Sequence, residues 1–265
     1  MTQLNNHPDD TPLYAMQPLE RFSDRAIDYA NHRPSYPVAA IAAVLAGLGE
    51  PHQLVAADIG AGTGIASRLL AEQGLRVWAI EPNAAMRGAA AFHPNVTFQA
   101  GSAEQTGLSD ASVDLVTCFQ AFHWFDPALC LPEFHRILKS SGRLALVWNS
   151  RDRHDPFTQD YTQLVQKLSD NHPAESRMVS AQPLLTNPYF GNVSQHEFSH
   201  QQSLDLASLI GRAQSVSYMP KDEETTQQLT GGLEELCDRW ADEQGQVRLV
   251  YATQVFLAHS AGDAG

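Results

Sequence analysis

The sequence predicts an α/β fold: a doubly wound, seven-stranded, mostly parallel sheet with an N-terminal helical cover. Three observations carry this. The apolar run Val55-Ala56-Ala57-Asp58-Ile59 breaks into a turn with glycine at 60, 62 and 64, then passes straight into the amphipathic segment Ile65 to Gln73. From residue 54 onward, short apolar runs alternate with segments of helical period, the pattern of parallel strands with helices packed between them. At the far end, Val247 to Ala258 has the length to pair antiparallel with its neighbours.

Taken in order, residues 1–18 hold Asn, Asp, Pro and Thr with little apolar pattern and read as a tail. Residues 19–30 and 37–49 read as helices, separated by Asn31-His32-Arg33-Pro34-Ser35-Tyr36-Pro37. Strands are expected near 54–59, 76–80, 95–100, 113–119 and 142–149, with helices filling much of 63–73, 83–91 and 127–139. Asn83 is a natural N-cap for the second of these helices, and Gly142 lies in the turn after the third. Beyond Trp148 the pattern loosens into a helix at about 156–169 and a Pro/Asn-rich stretch. A strand near 192–200, helices over 203–214 and 222–243 and the last strand complete the chain. With no internal repeat, 19–265 reads as a single domain. Residues 150–190 are a candidate substrate-covering segment, too short for a core of their own.

Composition narrows the function. Thirty acidic against 17 basic residues give a formal charge of −13, a field that opposes nucleic-acid binding. No apolar run reaches the ~20 residues needed to span a bilayer, and the polar start, Met1 to Asp10, lacks a signal pattern. Cysteines 118, 130 and 237 are odd in number and far apart, so neither a disulfide framework nor a metal clip is indicated. His154, His172, His196 and His200 share no metal-ligand spacing. The expectation is a cytoplasmic enzyme without metal, acting on a small molecule, with no nucleic-acid or membrane partner; oligomeric state leaves no trace in the sequence.

The glycine turn carries the chemistry. Glycines there permit tight geometry and close approach of a ligand, and the helix start supplies unpaired N–H groups. Twenty-three positions beyond Asp58, the apolar run Val77-Trp78-Ala79-Ile80 ends in Glu81, an acid placed to accept both hydroxyls of a ribose. The ligand is therefore an adenosine derivative. A dinucleotide fingerprint requires G-x-G-x-x-G, but here the third glycine falls one position early and Ile65 stands where glycine is expected. Asp58 would repel a pyrophosphate and suits a cationic amino-acid moiety. That favours S-adenosylmethionine, which carries a sulfonium and an α-ammonium.

The chain resembles the class I S-adenosylmethionine-dependent methyltransferases of the small-molecule type 11 family. The matching residues are Asp58-Ile59-Gly60-Ala61-Gly62-Thr63-Gly64, Glu81-Pro82-Asn83, Gly101-Ser102-Ala103-Glu104, Ser112-Val113-Asp114-Leu115-Val116 and Gln120-Ala121-Phe122-His123-Trp124-Phe125. The likeness runs from about Arg21 to Trp148. It implies a Rossmann-like methyltransferase sheet, S-adenosylmethionine as cofactor, and in-line methyl transfer.

Site residues follow from both readings. Asp58, Gly60, Ala61, Gly62 and Gly64 surround the methionine portion, Glu81 takes the ribose diol, and Pro82 or Met86 touches the adenine. Many members of the family carry Asp where this chain has Ser102, so the adenine contact is expected from the Ala103 N–H with Ser102 or Glu104. Arg33 resembles the family's R-P-x-Y-P element and is the candidate for the cofactor carboxylate; its other reading is a surface arginine stiffened by Pro34. Gln120 follows the fourth strand at the carboxyl edge, where such sheets bind ligands. Phe122, Trp124 and Asn149 are expected to shape the substrate pocket. His123 is the candidate general base, with a wall residue as its alternative. Two further functions stay open: a protein that binds or remodels S-adenosylmethionine without transferring methyl, and a nicotinamide-dependent oxidoreductase. The second lacks both the later glycine and a Tyr-x-x-x-Lys pair.

Overall fold

The computed structural model describes residues 12–15, 26–172, 181–216 and 218–261. Among these, seven strands form one sheet: β1 (Val55–Ile59), β2 (Arg76–Ile80), β3 (Val96–Gln99), β4 (Val113–Phe119), β5 (Leu138–Arg151), β6 (Phe190–Leu204) and β7 (Val247–Ser260). Their spatial order is β3-β2-β1-β4-β5-β7-β6. Strands β1 to β5 pair in parallel, and β7 lies antiparallel between β5 and β6. All seven expected strands are present. Register sets the site: Ile59 pairs with Ile80 and Asp58 with Thr117. The glycine turn, Glu81 and the segment after β4 therefore open at one carboxyl edge.

Alternate residues of the central strands feed two cores on opposite faces. On one face Cys130, Leu131, Phe134 and Ile137 of α5 (Pro127–Ile137) meet Ile59, Val116, Leu144 and Trp148. On the other, Ala40, Ile41 and Val44 of α2 (Val38–Leu45) and Leu70 of α3 (Ile65–Glu72) cover Ala56, Leu115, Val147 and Val255. With both faces covered, Leu144 to Trp148 of β5 is fully buried and reads as an unbroken apolar run. A third cluster joins α6 (Pro156–Leu168), α8 (Leu206–Gln214) and α9 (Glu223–Trp240) to Val247, Leu249 and Tyr251 of β7.

Several boundaries differ from expectation, each for a local reason. The first helix, α1 (Ala26–His32), reaches His32 and packs against α8 rather than on the sheet; residues 16–25 lie outside the described residues. Helix α4 (Ala84–Gly88) is short, though Asn83 caps it as expected, accepting from the Ala85 and Met86 N–H groups. Strand β6 runs on to Leu204 because Asp205 caps α8, accepting from Ser208 N–H. The expected tail is corrected at Leu13–Ala15, a 3-10 turn with Leu13 buried. A short helix, α7 (Gln182–Leu185), was not foreseen; it seats Leu184 in the core beneath α5.

Candidate active site

At the end of β1 the chain turns through Gly60, Gly62 and Gly64, all at positive φ. The glycines serve protein packing as much as ligand approach. A Cβ on Gly60 would stand 2.7 Å from Ala121 Cβ and 2.9 Å from the Phe125 ring, so Gly60 makes room for the segment after β4. Gly64 begins α3 in the left-handed region with Phe98 filling its Cβ space, and it lines neither cavity described below. Gly64, expected at the cofactor, is thus placed behind the turn against Phe98.

Glu81 sits one residue beyond β2, 8% exposed. Its Oε2 accepts the Gly62 N–H at 2.9 Å and its Oε1 the Asn83 N–H at 2.9 Å. Burial raises its pKa, while these two backbone donors and nearby Arg87 pull it down. Each oxygen keeps a further lone pair. Beside it lies a cavity of about 520 Å³, walled by Gly62, Glu81 to Asn83, Met86, Ser102 to Glu104, Gln120, Trp124 and Leu129, among others. Ser102 Oγ accepts the Gln105 N–H and closes the loop after β3.

A second, small cavity of about 30 Å³ adjoins it, sharing Tyr29, Gly60, Phe119 and Gln120. Asp58, Ala61, Arg33, Asn149 and Arg212 line it. The Asp58 carboxylate accepts the Ser67 hydroxyl at 2.6 Å and the Thr117 hydroxyl at 2.9 Å. Burial lifts its pKa to about 6, against the lowering effect of these two hydroxyls. Arg33 is no loose surface arginine: Nη2 donates to the Ser215 carbonyl at 3.0 Å, and its guanidinium lies 4.7 Å over the Tyr29 ring.

The segment after β4 divides unexpectedly. Gln120, at φ +54°, pairs with Asn149 across the sheet edge, accepting its N–H at 2.7 Å and donating to its carbonyl at 3.4 Å. Asn149 belongs to the small cavity, where its amide donates to the Ser35 carbonyl and accepts the Thr253 hydroxyl. Phe122 is 2% exposed, edge-on to Phe125 and Trp148, so it is core and not pocket wall. Trp124 does line the large cavity. His123 lines neither cavity; its Nδ1 accepts the Trp148 indole N–H at 3.3 Å. Burial, with the Arg33 charge, drops its pKa to about 3. A general base works best with a pKa near the working pH, so the geometry moves His123 from chemistry to structure.

Comparison with known proteins gives the family. A family model described as "Methyltransferase domain" matches residues 57–146. An uncharacterized methyltransferase of Mycobacterium tuberculosis is 35% identical over 191 residues, 72% of this chain and 74% of that one. The chain belongs to the class I S-adenosylmethionine-dependent methyltransferases, type 11. A methyltransferase-like protein of Schizosaccharomyces pombe is 29% identical over 90% of this chain and 94% of its own. A solved structure described as a type II methyltransferase of Anaeromyxobacter dehalogenans superposes with a TM-score of 0.62 at 26% identity, covering 85% and 97% of the two chains.

This methyltransferase builds part of its site outside the matched span. Residues 57–146 hold the glycine turn, Glu81, the loop after β3 and Trp124, but not Tyr14, Tyr29, Arg33 or Arg212. Described residues of 150–190 line neither cavity. Tyr14 and Leu129 line the large cavity, and Arg212 of α8 the small one. Sequence reading passed over Arg212. Its signal was an arginine on the apolar face of an amphipathic helix, beside Leu209 and Ala213.

Proposed function

We propose that this methyltransferase uses S-adenosylmethionine to methylate a small molecule in the cytoplasm, without metal or nucleic-acid partner. The observation that carries the reading is Glu81: a carboxylate tied down by two backbone N–H groups, with lone pairs left over, at the wall of a cavity of about 520 Å³. Ligand pockets typically run from about 300 to 1,000 Å³, so cofactor and part of an acceptor are accommodated. In this reading Glu81 accepts from the ribose diol. Pro82, Met86 and Ser102 to Glu104 flank the adenine, Asp58 faces the ammonium, and Arg33 the carboxylate.

When bound, the cofactor supplies an activated methyl on a sulfonium. The chain's own task is then to hold and orient, which contributes about 7–11 kcal/mol against roughly 3–5 kcal/mol for one general base. The acidic balance of 30 to 17 argues against a phosphate-rich acceptor.

Calorimetry tests the cofactor. Wild type should bind S-adenosylmethionine, and Glu81→Ala should lose one or two charge-assisted hydrogen bonds, each worth about 1.5–3 kcal/mol. Glu81→Gln, which keeps an acceptor for one N–H, should fall between. Binding of NAD with no heat from S-adenosylmethionine would overturn the reading. Turnover to S-adenosylhomocysteine with a methylated product separates a catalyst from a protein that only binds.

A further inference from the structure

Two guanidinium groups converge on the small cavity with donors to spare. Arg212 on α8 is 4% exposed. Its Nε donates to the Tyr251 hydroxyl at 3.3 Å, while Nη1 is buried with no partner among the described residues. Arg33 Nε is likewise buried and unpartnered. Among the described residues, neither arginine forms an ion pair. Asp58 is the one acidic side chain lining the same cavity; its carboxylate accepts the Ser67 and Thr117 hydroxyls and forms no ion pair with either arginine among the described residues.

An arginine stays charged in a protein, and a buried charge without a counter-charge is costly. Like charges side by side compound that cost. The arrangement is therefore made for anions. Under the reading above, the cofactor brings one carboxylate toward Arg33, but it also brings an ammonium and a sulfonium. It adds more positive charge than negative and leaves Arg212 uncompensated. The wall shared by the two cavities, Tyr29, Gly60, Phe119 and Gln120, contains no acidic side chain. The acids of the two cavities lie elsewhere on their walls, at Asp58, Glu81, Glu104 and Asp126, so the open Arg212 donor is left for an anionic group on the other reactant.

We propose that the methyl acceptor carries a carboxylate, and that Arg212 holds it, while Arg33 beside it faces the carboxylate of the cofactor. The inference rests on the S-adenosylmethionine-dependent reading. The planar guanidinium fork matches a carboxylate in two parallel hydrogen bonds, and the free Nη1 donor supplies one of them. Arg212 is a specificity residue in this scheme, with no part in moving protons.

Two measurements test it. Calorimetry with S-adenosylhomocysteine on wild type and Arg212→Gln establishes the cofactor site first. The protein saturated with S-adenosylhomocysteine is then titrated with a panel of linear mono- and dicarboxylic acids, a benzoic acid and the matching amides. Acids should bind and amides should not. Arg212→Gln should weaken acid binding about ten- to a hundred-fold, the loss expected for a charge-assisted pair, with S-adenosylhomocysteine affinity little changed. Arg212→Lys, which keeps the charge but not the fork, should lose less. For any acid turned over, the same change should raise KM far more than it lowers kcat. Binding of S-adenosylhomocysteine without binding of any acid overturns the proposal. An equal loss of S-adenosylhomocysteine affinity in Arg212→Gln also overturns it, by assigning both arginines to the cofactor. Failure of S-adenosylhomocysteine to bind wild type removes the underlying reading instead.

Discussion

The Trp148 side chain is fully buried, and the acceptor of its indole N–H is His123. Removing that acceptor strands a donor in the core, at a cost of about 1–3 kcal/mol. His123→Ala should therefore lower stability by that amount in denaturant unfolding, while His123→Gln, which keeps an acceptor, should lose less. The acid limb of the pH–rate profile should be the same in wild type and His123→Ala. A limb that vanishes in the variant would return the proton to His123. Sequence reading could place Asp58, Glu81 and the glycine turn at one sheet edge because their signal is local, fixed by position at a strand end. It left His123 open between base and wall residue because its Trp148 partner is 25 residues away on another strand. Phe122 was misread for the same reason: beside the pocket in sequence, its ring packs against Trp148.

Among the helices, the contact of α1 with α8 fixes both cavity arginines, since Arg33 follows α1 and Arg212 lies on α8. It closes over Gly211, where an added Cβ would run into the His32 ring. In a helix, Gly→Ala on propensity alone gains about 1 kcal/mol, but overpacking costs about 1–3 kcal/mol. Gly211→Ala should therefore come out neutral to about 2 kcal/mol destabilised. Adding His32→Ala should recover the propensity gain, a coupling that a double-mutant cycle in thermal or chemical unfolding measures. Additive effects would mean the two helices are not in register at this point. Element types were readable from period and punctuation. Their ends were less so where a strand runs straight into a capped helix, as at Leu204 and Asp205.

Across the molecule, the alternation of strands and helices announced the parallel part of the sheet. The position of β7 between β5 and β6 was not legible, because nothing local to Val247–Ser260 says which two strands it joins. That pairing is extensive, running from Arg143 to Arg151 on one side and from Phe190 to Leu204 on the other. A chain ending at residue 246 should leave β5 with an open edge and the α6–α8–α9 cluster without Val247, Leu249 and Tyr251. It should be insoluble, or lack a cooperative unfolding transition in circular dichroism. A soluble, cooperatively folding product would mean that β1 to β5 stand alone.

The same topology gives this protein a direction in time. The strand that welds β6 to the rest is the last of the seven to leave the ribosome. Until it emerges, a nascent chain with a finished glycine turn and a finished Glu81 carries the long, unpaired edge of β5 through the cell. Paired edges are what keep sheets from finding partners on other chains. The span most exposed to aggregation during synthesis is thus the time needed to translate from Arg151 to His259, the partner of Arg143. Slowing synthesis there, or withholding chaperones, would harm yield without altering a single contact of the finished fold.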